Sequence, residues 1–130
     1  MILIDTSAWI DYFNGIENPT TALVDKILDK EPVLIGDLIY CELLQGFKTD
    51  DKYSEVKELL SNLMHVEMVG FEIAEKAAIN YRRLRKKGIT IRKTMDIIIA
   101  TFCVENKVAL IHKDRDFDIA AEPLGLTILK

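Results

Sequence analysis

The chain has 130 residues, 49% of them hydrophobic and 29% charged, with a formal net charge of −4. These values describe one globular domain, over 1–130, with enough chain for a sizeable core. They exclude a general nucleic-acid coat, and no apolar stretch is long enough to span a membrane.

The opening run Met1-Ile2-Leu3-Ile4 leads straight into Asp5, Thr6 and Ser7. A run so short and apolar reads as a strand buried on both faces, as in parallel sheets. Asp5 then stands at the strand's C-terminal end, where open α/β sheets bind ligands. Thr6 or Ser7 is expected to cap the next helix, with Trp9, Ile10 and Phe13 on its apolar face. No basic segment precedes the apolar run, so no secretory leader is expected and the cytoplasm is the expected compartment.

The pattern then alternates. A helix is predicted over 20–30, a strand over 32–35 ended by Gly36, and a helix over 38–47 capped by Asp37. A helix over 51–62 is capped by Thr49 or Asp50, and a strand follows over 65–69. The spacing of Ile73, Ala77, Ala78, Tyr81 and Leu84 predicts a long helix over 71–87, stopped by Gly88. Thr94 caps a helix to about 106, and a fourth strand covers 108–111. A short helix after Asp116-Phe117 and a last strand over 126–129 complete the chain. Alternation of this kind means an α/β domain with a mostly parallel sheet. Cys41 and Cys103 both fall in apolar helical patterns and read as reduced core thiols of a cytosolic protein.

Five of the acidic residues stand within apolar runs or at strand ends: Asp5, Glu42, Asp96, Asp114 and Asp116. With the first and fourth strands adjacent, all five converge at one edge of the sheet. Each also has a structural reading. Asp96 can serve the dipole of its helix, Asp116 can cap the last helix, and Glu42 can face solvent. Together they imply more. Two carboxylates about 5 Å apart repel by roughly 3 kcal/mol at an effective dielectric of about 20. Several such pairs would take a large share of a domain stability of about 5–15 kcal/mol. Protonation or a bound cation must offset them. No Cys or His cluster has zinc-like spacing, and an all-oxygen site suits Mg²⁺ or Mn²⁺, which can act on a phosphodiester. His112 reads as a core residue or a neighbour that positions a ligand, and His65 carries no signal.

The residues at this point resemble the PIN-domain ribonucleases, most closely the VapC toxins of prokaryotic toxin–antitoxin pairs. The resemblance covers the whole chain. It rests on Asp5-Thr6-Ser7-Ala8-Trp9, Glu42, Thr94-Met95-Asp96 and Asp114-Arg115-Asp116-Phe117. It implies a sheet of order 3-2-1-4-5 flanked by helices and a metal-dependent endoribonuclease, commonly dimeric and restrained by a cognate antitoxin. By position, Asp5, Glu42, Asp96 and Asp114 would form the catalytic quartet. Asp5, Asp96 and Asp114 would hold Mg²⁺ or Mn²⁺, with Asp116 as an auxiliary ligand, and Glu42 would act through bound water or as a further ligand. Thr6 or Ser7 would position the first carboxylate or a water. His112 stands where many relatives have a hydroxyl residue, which leaves the hydrogen bonding around Asp114 open.

A basic segment fits an RNA substrate. Residues 82–93 hold seven of the chain's 17 Lys and Arg residues and no acid. Arg85, Lys86, Lys87, Arg92 and Lys93 are the candidate phosphate contacts, against the alternative of a solvated helix face and loop. Other classes also gather acids at a sheet edge. A phosphoacceptor receiver domain wants paired acids after the first strand and an Asp after the third, where this chain has Val69-Gly70-Phe71. A haloacid-dehalogenase-type phosphatase wants Asp-x-Asp, and position 7 is Ser. A catalytically inactive interaction module is the remaining alternative, which the intact acids argue against.

Overall fold

A computed structural model describes all residues 1–130. Its elements are β1 (Ile2–Ile4), α1 (Thr6–Phe13), α2 (Pro19–Leu28), β2 (Val33–Gly36), α3 (Asp37–Gly46), α4 (Asp50–Ser61), β3 (Met64–Val66), α5 (Gly70–Lys86), α6 (Thr94–Asn106), β4 (Ala109–Ile111) and α7 (Arg115–Leu124). The strands form one parallel sheet of order β3-β2-β1-β4. Every residue of β1 and β2 is buried, which matches their unbroken apolar runs.

The register decides where the chemistry sits. Leu3 pairs with Leu110 and Ile4 with Ile111, and the Asp5 amide donates to the Ile111 carbonyl at 2.9 Å. β1 and β4 therefore end level, and the residues that leave them emerge side by side. The fifth strand expected over 126–129 is reduced to a single parallel bridge, Leu110 with Ile128. Two backbone hydrogen bonds hold it, Leu110 N–H to the Thr127 carbonyl and Leu129 N–H to the Leu110 carbonyl, each 2.9 Å.

Several boundaries differ from expectation. Asp5, not Thr6 or Ser7, caps α1: its backbone is extended and its side chain accepts from the Ser7 amide. Gly36 takes the cap position of α3, and the Asp37 carboxylate instead accepts from the Leu38 and Met68 amides. Thr94 is already helical, with Lys93 at the cap. Asp114, not Asp116, caps α7 by accepting from the Asp116 amide at 3.0 Å. β3 stops at Val66 rather than Val69. On α1, Ile10 is 38% exposed, while Ala8, Trp9 and Phe13 are buried. Cys103 is buried as expected, and burial pushes its thiol up to about 12. Cys41 is exposed because Ile39 and Leu43 take the inner face of α3.

Gly36 joins β2 to α3 against a fully buried Met68. A Cβ there would lie 2.0 Å from Met68 Sδ and 2.4 Å from its Cγ. Gly36→Ala must therefore displace a packed side chain, and we expect a loss of about 1–3 kcal/mol in urea unfolding. A midpoint equal to that of the wild type would show that Met68 repacks freely.

Candidate active site

Asp5 leaves the end of β1 and is 5% exposed. Its Oδ2 accepts from the Ser7 hydroxyl at 2.6 Å and the Ser7 amide at 3.2 Å. Ser7 Oγ in turn accepts from the Lys113 amide at 3.1 Å. One hydroxyl thus orients the Asp5 carboxylate and ties it to the chain leaving β4. Thr6 points elsewhere, and its hydroxyl donates to Glu42 Oε1 of α3 at 2.7 Å. Glu42 is half-buried and joins the site through Thr6.

Asp96 lies in the first turn of α6, whose buried residues run from Asp96 to Cys103. It is 6% exposed, and its Oδ2 has no hydrogen-bond partner. Burial raises its pKa from 3.8 to about 6, helped by the charges of Asp5, Asp114 and Asp116 and opposed by Lys93. Asp114 follows β4. Its amide donates to His112 Nδ1 at 2.9 Å, and its Oδ1 accepts from the Asp116 amide. Because Nδ1 accepts, Nε2 carries the His112 proton and faces Asp118 Oδ1 at 3.1 Å. The His112 side chain is 4% exposed, so the residue braces Asp114 from within.

Asp96, Asp114 and Asp116 can each offer an oxygen within 4.8 Å of the others. Asp116 differs from its neighbours because Arg92 holds both its oxygens. Arg92 Nε donates to Oδ2 at 3.1 Å, Nη2 to Oδ1 at 3.3 Å, and the main-chain N–H to Oδ2 at 3.3 Å. The guanidinium keeps the Asp116 carboxyl below the usual carboxylate range, and Asp116 raises Arg92 in return.

The structure thus brings Asp96, Asp114 and Asp116 together, with Asp5 close enough to act on Asp96. Glu42 stands outside that trio. The basic residues Arg85, Lys86, Lys87, Arg92 and Lys93 are all exposed. The first three sit at the end of α5, where cations suit the helix dipole, and Arg85 lies 5.7 Å from the centre of the Tyr81 ring. Buried Ile91 packs in a small cluster with Ala77, Leu84, Ile97 and Ala120, and so anchors the loop that carries Arg92.

Two roles are not legible in the sequence. Asp11 is buried, accepts from Asn18 Nδ2 at 3.2 Å, and pairs with the Lys113 ammonium beside Asp114. Its only sequence signal is its place one helical turn after Ser7. Arg92, expected to meet phosphate, pairs with Asp116, 24 residues away, a contact without sequence periodicity. Beyond Asp114, a cavity of about 370 Å³ is bordered by His112, Lys113, Arg115, Asp118 and Lys130 among others.

The donor set suits a hard divalent cation: all oxygen, several carboxylates, and one buried carboxylate oxygen left without a partner. Residues 2–123 match the family model described as PIN domain. The chain is 32% identical over 128 residues to VapC ribonuclease Mb1587 of Mycobacterium bovis, covering 97% of this chain and 96% of that protein. The same values hold for ribonuclease VapC11 of Mycobacterium tuberculosis. Among solved structures, the fold is similar to VapBC2 from Rickettsia felis bound to a DNA fragment from their promoter. That match has a TM-score of 0.78 at 17% identity and covers 99% of this chain and 98% of the other.

Proposed function

Because this chain belongs to the PIN domain family, among its VapC ribonucleases, we propose that it is a Mg²⁺- or Mn²⁺-dependent endoribonuclease, the toxin of a toxin–antitoxin pair. The observation that carries the metal is the buried, unpartnered Oδ2 of Asp96 among the charges of Asp5 and Asp114. Asp5, Asp96 and Asp114 would hold the ion. When bound, a divalent cation there lowers the pKa of water and offsets charge on the phosphodiester.

The chain's own residues do the rest. Ser7 fixes the rotamer of Asp5, and His112 holds the backbone of Asp114, so neither carboxylate has to reorganise on binding. Glu42, whose Oε1 accepts from the Thr6 hydroxyl, is the carboxylate to which this reading gives the proton taken from water. Lys93 and the exposed cations at the end of α5 supply a path for RNA phosphates, and Lys113 and Arg115 continue it past Asp114.

A nuclease acting on RNA in its own cytoplasm needs restraint. VapBC complexes are among the fold's neighbours, and a cognate antitoxin is part of this reading, as is a homodimer. An antitoxin Arg fits the acidic cleft by its affinity for paired carboxylates. Incubation with RNA should give internal cuts with Mg²⁺ or Mn²⁺ and none with chelator, restored by added metal. Cleavage that persists in chelator would remove the metal from the mechanism. No cleavage of any RNA with either ion would leave an interaction module.

A further inference from the structure

Arg92 is the one cation in ion-pair contact with the carboxylate trio. It spends three N–H donors on Asp116, and its Nη2 also stands 3.8 Å from Asp114 Oδ1. Both oxygens of Asp116 are therefore engaged, whereas Asp96 Oδ2 has no partner. The two ends of the carboxylate trio are not equivalent. One is open to a cation, and the other already holds one.

We propose that Arg92 closes Asp116 to divalent ions, so that the free protein takes one ion through Asp5, Asp96 and Asp114, and that withdrawal of Arg92 opens a second position between Asp114 and Asp116. This rests on the metal-dependent reading above. A guanidinium never deprotonates under ordinary conditions, so its charge is fixed, and an ion approaching Asp116 meets both repulsion and an occupied carboxylate. The lock is nonetheless removable. The Arg92 side chain is 69% exposed while Asp116 is 9% exposed, and Ile91 anchors the loop beside it rather than the guanidinium itself. A phosphodiester presents the same paired oxygens to the guanidinium fork as a carboxylate does. The RNA backbone is thus the ligand class that draws Arg92 off, and substrate binding is coupled to loading of the second ion.

The test counts ions without any need for turnover. Mn²⁺ bound per chain is measured by electron paramagnetic resonance of the free ion, alongside calorimetric titration. The wild type should bind one Mn²⁺. Arg92→Gln, which keeps the stem and loses the charge, should bind two, and Arg92→Gln/Asp116→Asn should return to one. Asp116→Asn alone should still bind one with unchanged affinity. If Arg92→Gln does not fold, that last variant decides, since loss of the single ion in Asp116→Asn makes Asp116 a primary ligand and overturns the inference. Two ions in the wild type, or one in folded Arg92→Gln, overturn it as well. No Mn²⁺ in the wild type at all would instead bring down the metal reading on which the inference stands.

Discussion

Asp96→Asn should abolish RNA cleavage and, in metal-free buffer near neutral pH, make the protein more stable. The wild-type carboxylate is buried, faces other acids and has an unpartnered oxygen. Its ionisation in the fold therefore costs energy that the unfolded chain does not bear. A rise from 3.8 to about 6 corresponds to at most ~3 kcal/mol, and partial access of solvent lowers this to ~1–2 kcal/mol. An uncharged amide removes that cost, so the metal-free melting temperature should rise by about 5 °C. Saturating Mg²⁺ reverses the order. At about 100 times its dissociation constant, an ion bound only by the native state stabilises the wild type by ~2.7 kcal/mol, and the variant gains little. The loss of activity should exceed the ~10–100-fold that an outer partner of a metal ligand costs. Thermal melts with and without Mg²⁺ check this. If the variant is less stable by the same amount in both buffers, Asp96 is only a structural element of α6 and the site falls with it.

The stability cost and the function have one origin. α6 is buried along nearly its whole length, and its first turn places a carboxylate where water is scarce. Three devices keep the remaining acids tolerable. Ser7 donates to Asp5, the Asp116 amide donates to Asp114, and Arg92 neutralises Asp116. Only Asp96 Oδ2 is left without such compensation. The charge that a metal must offset is therefore localised on the residue least able to find another partner.

How far the sequence is legible follows from the range of the interactions. β1 and β2 are local and apolar, and their unbroken runs read directly as buried parallel strands. The runs of β1 and β4 end just before Asp5 and three residues before Asp114, so two corners of the site follow from pattern alone. Leu126, Ile128 and Leu129 form a short apolar segment of the kind that reads as a strand. On the outer edge of β4, however, the segment meets the sheet only at the bridge of Ile128 with Leu110, and that contact is tertiary. Thr6 and Ser7 look interchangeable in sequence. The helix turn sends Ser7 back to Asp5 and Thr6 across to Glu42, and adjacent residues on a helix point some 100° apart. Arg92 reads as one cation among seven. Its attachment to Asp116 depends on how buried Ile91 sets the loop, and that is tertiary packing.

Metal affinity should depend on pH through Asp96, and the metal-free stability should depend on pH with a sign opposite to that of an ordinary ion-paired carboxylate. The folded value of about 6 lies above 3.8, so the native state holds the Asp96 proton more tightly than the unfolded chain. Its contribution to stability is fully present below the unfolded value and is lost as the pH rises through about 6. Asp116 runs the other way: Arg92 depresses it, so its contribution is present above the usual carboxylate range and is lost only as the pH falls through its lowered value. In metal-free buffer the Asp96 contribution should therefore make stability decline from about pH 4 to about pH 7. An ion that needs Asp96 ionised must displace its proton, so apparent Mn²⁺ affinity should fall about tenfold for each pH unit below about 6 and level off above it. Cleavage at subsaturating metal should carry the same dependence and lose that component once metal saturates, leaving only the dependence that arises from deprotonation of the attacking water. Calorimetric titrations of Mn²⁺ from about pH 5 to about pH 8 check this. An affinity that stays flat across that range would mean that the ion binds without Asp96. A slope retained in Asp96→Asn would assign the proton to another carboxylate of the cleft.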